Sequence, residues 1–294
     1  MKNASLLISV ISFLSCHCPK TKNTVSKPGY PVRDYVLVGK MMDTVKTPYI
    51  IDVAAKNKRV VFIGCVHDVD STHPQFKIIE KYFDEVKPQI AFNEGGQIPD
   101  SIHYVSFNDA LKRDGETGVL KYNADKSGIK MMNGDMDAKT ELALTLRKLP
   151  KEELFLYYVM ERIAIPYHYG AYKDESFDTV FNRIIHRYFI KNGFPLSDKE
   201  TDLSYFKTLY EKETKRKFNT KDLDLEAFDY VNDNCKYCAV GRVSKMTRDS
   251  VLLSKIDAAL NKYDRVMVTF GHGHALAIEP ALKEIIKSRI SSHG

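Results

Sequence analysis

The chain holds 294 residues, 44% of them hydrophobic and 28% charged, which is enough for one sizeable globular domain with a full core. Its net charge of +6 is spread along the sequence, and no basic run is dense enough to argue for a nucleic-acid partner. Tryptophan is absent, so 17 Tyr and 15 Phe supply the large core side chains.

Residues 1–15 have the form of an export signal, with Lys2 ahead of an apolar core over 6–14 that is too short to span a bilayer. Phe13, Leu14 and Ser15 before Cys16 resemble the end of a bacterial lipoprotein signal, whose cysteine is lipidated and becomes the new N-terminus. This predicts an exported cell-envelope protein, anchored to a bacterial membrane through lipid on Cys16, on the periplasmic or the outer surface. The polar stretch 16–33, with Pro19, Pro28 and Pro31, reads as a tether. Residues 34–294 read as a single α/β domain, a central mostly parallel sheet flanked by helices, with a helical insertion or cap over about 150–240.

Within that domain, 35–38 and 49–53 are short apolar runs, expected as an antiparallel hairpin or edge strands. The β-branched run 60–63 has the pattern of a strand buried on both faces, broken by Gly64 and followed by His67. Residues 74–86 carry Phe76, Ile79, Phe83 and Val86 at helical spacing, and Lys87-Pro88 ends that helix. A second strand over 90–92 leads to Glu94 and Gly95-Gly96, completing a βαβ unit whose strands are parallel. Residues 97–105 have turn character, 107–114 and 118–123 short helical patterns, and 129–132 a third strand that ends in Asn133-Gly134-Asp135. After the helical stretch 138–149, Pro150 starts the next helix, and 152–217 is mostly helical in spacing. A loop is expected over 232–241, then a long amphipathic helix over 243–263 with Arg248 in its first turns. The apolar strand 265–270 ends in Gly271-His272-Gly273-His274, and a final helix follows over 275–287.

Two strands therefore end in the same form, Gly64…His67 and Gly271…His274, and a third ends at Glu94. Open parallel sheets bind ligands at the carboxyl ends of their strands. Two imidazoles and a carboxylate gathered there suit a divalent metal with positions left open for water and substrate. Glu94 would be a ligand or the base that takes a proton from water, and Arg248 would pair with Glu94 or stabilise developing negative charge. Asp135 ends a strand and either lines the site or caps the next helix. His272 is expected to face the loop, Cys65 to pack inertly, and His73, His103, His168 and His186 have no partner pattern. Cys235 and Cys238 form a lone CxxC, a local disulfide in an oxidising compartment or half of a metal site in a reducing one. No Gly-x-Ser-x-Gly, P-loop or complete Gly-x-Gly-x-x-Gly occurs, which argues against serine-hydrolase and nucleotide chemistry.

These residues resemble the TraB/GumN (PrgY) family, its Tiki metalloprotease relatives and, more remotely, the erythromycin esterases and ChaN-like haem-binding lipoproteins. The matching positions are Gly64 and His67, Lys87-Pro88 with Glu94, Arg248, and Gly271 with His274, over roughly 60–286. The resemblance implies an α/β fold with its site at the strand ends and, in the Tiki branch, a divalent-metal peptidase. The expectation is an exported, lipid-anchored hydrolase of peptide or small ester bonds, in which His67, Glu94 and His274 hold Mn, Co, Fe or Zn. The alternative is a non-catalytic lipoprotein that binds haem, metal or a peptide.

Overall fold

The computed structural model describes residues 29–172 and 174–291. The expected export signal and the expected lipidation site, Cys16, fall outside the described residues. The strands are β1 (Tyr49–Ala55), β2 (Lys58–Cys65), β3 (Ile90–Asn93), β4 (Lys130–Asn133) and β5 (Arg265–Gly271), in the order β1-β2-β5-β3-β4. β1 pairs antiparallel with β2, and every other neighbouring pair is parallel, so the fold is α/β with a mostly parallel sheet.

The strands of the βαβ unit, β2 and β3, are parallel but not adjacent, because β5 from the far end of the chain lies between them. The register aligns Cys65 with Gly271, and Asn93 with both Thr269 and Asn133. The carboxyl ends of β2, β5, β3 and β4 are therefore level, and each following loop begins at one edge of the sheet.

Helices cover both faces. They are α1 (Tyr35–Met42), α2 (Pro74–Val86), α3 (Phe107–Lys126), α4 (Ala138–Leu146), α5 (Lys151–Val159), α6 (Ile165–His168), α7 (Phe177–Ile184), α8 (Leu203–Thr214), α9 (Lys236–Ala259) and α10 (His272–Ser291). On one face α2 packs Phe76, Ile79, Phe83 and Val86 against Val61, Ile63 and Met267. Full burial of such side chains stabilises by about 1.5–3 kcal/mol each. On the other face α9 and α10 cover Val60, Phe62, Val266 and Val268. Residues α5 to α8 build a helical layer with a separate core rich in rings, among them Phe155, Phe181, Phe189 and Phe206. Two π-helical turns interrupt it, at Met160–Ala164 and Ile185–Phe189.

Three expectations are corrected. Residues 35–38 are helical rather than extended: Asp34 accepts a hydrogen bond from the Val36 N–H as N-cap, and Tyr35 and Val38, three residues apart, face the core together. The last residues of the expected tether are docked, since the Arg33 N–H donates to the Ala277 carbonyl at 2.9 Å and its guanidinium meets Glu279 at 2.7 Å. The CxxC is not in a loop. Cys235 is the N-cap of α9, Cys238 lies in its first turn, and the two are joined as a disulfide.

Candidate functional site

Asn93, fully buried at the end of β3, donates from its amide to the carbonyls of Glu94 and Gly96, each at 2.8 Å, and so shapes the turn that presents Glu94. The Glu94 carboxylate receives the Gly271 N–H at 2.6 Å on Oε2 and the Arg248 guanidinium at 2.7 Å on Oε1. His67 Nε2 stands 3.8 Å from Oε2, and His274 Nε2 stands 3.8 Å from Oε1. His67 and His274 from the strand ends and Arg248 from α9 thus converge on the Glu94 carboxylate. Burial alone would raise the Glu94 pKa, but His274, Arg248, His67 and the Gly271 N–H outweigh it and hold the group at about 2.

Both imidazoles are oriented from behind. His274 Nδ1 donates to Asp249 Oδ1 at 2.5 Å, and Asp249, fully buried, also accepts the Tyr35 hydroxyl at 2.8 Å. Burial, and then the Asp249 charge, push the Tyr35 pKa well up, so it remains a donor. His67 Nδ1 donates to Glu116 Oε1 at 2.6 Å. The hydrogen bond to Glu116 raises the His67 pKa, against a smaller opposing effect of burial. A carboxylate on Nδ1 fixes the tautomer and leaves the Nε2 lone pair for a metal or a proton.

The supporting residues come from local breaks in regular structure. In α3, Asp114 and Gly115 leave helical geometry, and Gly115 has φ +52°. A Cβ there would stand 3.0 Å from the Asp68 carbonyl, so glycine lets α3 pass against the His67 loop and deliver Glu116. Gln75, buried in α2, clamps that loop with bonds to the Val66 N–H at 3.0 Å and the Val66 carbonyl at 2.9 Å. In α9, Arg248 and Asp249 are consecutive, and one turns to Glu94 while the other turns to His274.

Asp135 lines the site: both its oxygens bond Arg248, at 2.9 Å from Nε, and Asp137 is the cap of α4 instead. Burial opposes a charge on Arg248, but Asp135 and Glu94 more than offset it and keep the guanidinium ionised. His272 is not loop-facing. β5 runs straight into α10, so its ring is buried, edge-on to Tyr49. Cys65 is buried as expected, with its thiol pKa pushed well up by desolvation. His73 caps α2, His103 meets Asp125 at 3.2 Å, His168 bonds the Thr220 carbonyl at 2.9 Å, and His186 is exposed, all away from the site.

As placed, no three His, Cys, Asp or Glu side chains among the described residues surround a common point closely enough to hold a metal ion. The donor chemistry nonetheless fits a divalent cation. Each Nε2 stands 3.8 Å from a Glu94 oxygen, each Nδ1 is held by a carboxylate, and the 3.8 Å gaps are ones that two ligand atoms about 2.1 Å from one ion can span. Among the described residues no helix is long and apolar enough to cross a membrane. Comparison with protein-family models, with curated proteins and with solved structures gives no match to this chain.

Proposed function

We propose that this protein is a hydrolase of the TraB/GumN type that cleaves a peptide or small ester bond at the strand-end site. The observation that carries the reading is the paired arrangement of His67 and His274, each anchored at Nδ1 by a carboxylate and turned with Nε2 towards Glu94. His67, Glu94 and His274 would hold Mn, Co, Fe or Zn, which supplies polarisation of the scissile carbonyl and eases deprotonation of water. Asp249 and Tyr35 keep the His274 ring in place, and Glu116 does so for His67. Arg248 holds Glu94 ionised and supplies positive charge beside the position where a tetrahedral oxyanion develops.

One observation favours a metal-free variant of the same chemistry. Both Glu94 oxygens already accept hydrogen bonds, from Arg248 and Gly271, which leaves His67 Nε2 at the cleft as the group to take a proton from water. Metal analysis of the purified protein beside His67→Ala and His274→Ala separates the two. Near-stoichiometric metal, lost in both variants, supports the metallohydrolase. Metal-free protein that still cleaves peptides or esters after chelation supports the histidine base. A protein that binds haem or peptide and cleaves neither substrate class refutes both.

The proposal includes export and attachment to the cell envelope through lipid on Cys16. Metabolic labelling with a fatty acid, lost in Cys16→Ala, tests it. Label retained in that variant would remove the anchor from the proposal.

A further inference from the structure

Two cavities meet at Glu94. The outer one, about 630 Å³, runs from His67 along Ile98, Pro99 and Ile102 to Arg113. The other, about 530 Å³, runs beneath the helical layer to Glu141, Arg162 and Tyr188. They share His67, Glu94, Gly95, Gly96 and Gln97. At the seam Gly95 and Gly96 have φ of +89° and +111°, and nothing lies within 4 Å of where a Cβ would sit on either. Bare backbone with open space above it lets another main chain come close. The two cavities form one groove that passes through the site and continues on both sides.

The cap-side arm is built by the two π-helical turns. Met160–Ala164 places Glu161 and Arg162 in its wall, and Ile185–Phe189 places Tyr188 there. The Arg162 guanidinium lies 4.3 Å from the Tyr188 ring centroid and 2.8 Å from Glu141. Buried Glu161 Oε2 and Arg162 Nε face each other as an ion pair at 3.8 Å, and Lys245 donates to the other Glu161 oxygen at 2.8 Å. Single π turns inside helices recur at functional sites because they re-aim side chains at a small cost in backbone regularity. Two of them serving one cavity, aiming Glu161, Arg162 and Tyr188 at its wall, mark that arm as built for occupancy rather than for packing.

The charge of the groove is opposite to that of the protein. Asp68, Asp114 and Glu116 line the outer arm, and Asp135, Asp137, Glu141 and Glu161 line the cap-side arm. With Glu94 these are eight lining carboxylates against Arg113, Arg162 and Arg248, and with Lys245, 2.8 Å from Glu161, counted as well the balance is −4 with His67 neutral, in a chain whose net charge is +6. A groove with low-dielectric walls concentrates such a field and attracts the opposite charge.

We propose that the substrate is an extended, positively charged peptide, seated across Glu94 with residues in both arms and cut internally. The inference rests on the hydrolase reading, and binding and cleavage are therefore measured separately. Lys-rich, Glu-rich and neutral fluorescent peptides, each also shortened on one side, are titrated into the full chain carrying His67→Ala, and cleavage of the same peptides is followed with the native protein. The Lys-rich two-sided peptide is expected to bind roughly tenfold more tightly than its Glu-rich counterpart, and to weaken as salt rises. Asp68→Asn with Asp137→Asn removes one charge from each arm, and asparagine caps as well as aspartate, so melting is expected to hold while affinity for the Lys-rich peptide falls several-fold. Tyr188→Ala is expected to raise KM for peptides that extend into the cap-side arm and to leave those shortened on that side unchanged. Equal binding of Lys-rich and Glu-rich peptides, equal binding of one-sided and two-sided peptides, or no binding at all overturns the proposal. Cleavage without preference for charge or length overturns it while sparing the hydrolase reading, and tight binding of the Lys-rich peptide without cleavage overturns the hydrolase reading and the internal cut together, leaving only a groove that binds cationic peptides.

Discussion

His67 and His274 end parallel strands with the same Gly-x-x-His tetrapeptide, and both reach Glu94 at 3.8 Å, yet their surroundings differ in kind. The His274 side chain is 8% exposed, bonded to a fully buried Asp249 and edge-on to Phe270. The His67 side chain is 65% exposed at the mouth of the cleft, with Glu116 behind it. One imidazole is part of the core and the other is part of the surface. In the proposed reading, His274 keeps a fixed position and His67 exchanges protons or ligands with what enters.

Asp249→Ala should break the buried half of this pair most severely. It removes the buried carboxylate that accepts from both His274 Nδ1 and the Tyr35 hydroxyl, leaving those two groups, 2.9 Å apart, only each other, and a loss of about 3 kcal/mol is expected in urea unfolding. Unchanged stability would show that His274 is not held through Asp249. On the exposed side, His67→Ala should lower kcat/KM by about a hundredfold or more with the melting temperature retained, while His274→Ala should lower both. Equal melting of the two variants would erase the distinction between them.

Two pH experiments sharpen the contrast. Glu94 is held at about 2, below its ordinary 4.5, so its contribution to stability is present above 4.5 and is lost as pH falls through 4.5 towards 2. Glu94→Gln should flatten that part of the stability curve, and an unchanged acid limb would assign it to another group. For His67 the sign is reversed. Its pKa is raised, so the stability it adds is present below 6.5 and is lost as pH rises through the raised value. Where His67 serves as the base, activity climbs through that same raised value as the ring becomes neutral. Glu116→Gln removes the main cause of the shift and should move the climb to lower pH, the smallest of these effects. A pH–rate profile or an NMR titration of the ring reads it directly.

What the sequence revealed of this site follows from how local each signal is. Val60–Ile63 and Val266–Phe270 announce buried strands by composition, and a glycine and a histidine at fixed offsets mark their ends, so His67, His274 and Glu94 are legible within a few residues of chain. The order of the sheet was not legible, because β5 enters between β2 and β3 by a choice of partner that no short window records. Glu116 was hidden because Gly115 breaks α3 only in three dimensions, against the Asp68 carbonyl. Asp249 did carry a readable sign. It occupies the apolar stripe of α9 with Leu252, Leu253 and Ile256, where a carboxylate has to find a buried partner. Residues 35–38 were misread because a four-residue apolar run fits a strand as well as a helix, and only the Asp34 cap decides.

The adjacency of Arg248 and Asp249 on α9 has an evolutionary consequence. Neighbouring helical positions point about 100° apart, and this one pair serves both Glu94 and His274. A single-residue insertion or deletion in α9 ahead of them would swing both side chains off their partners at once. Sequences descended from a common ancestor with this chain can therefore drift in loop length on either side of α9, but across the segment from Cys235 to Asp249 they have to keep count.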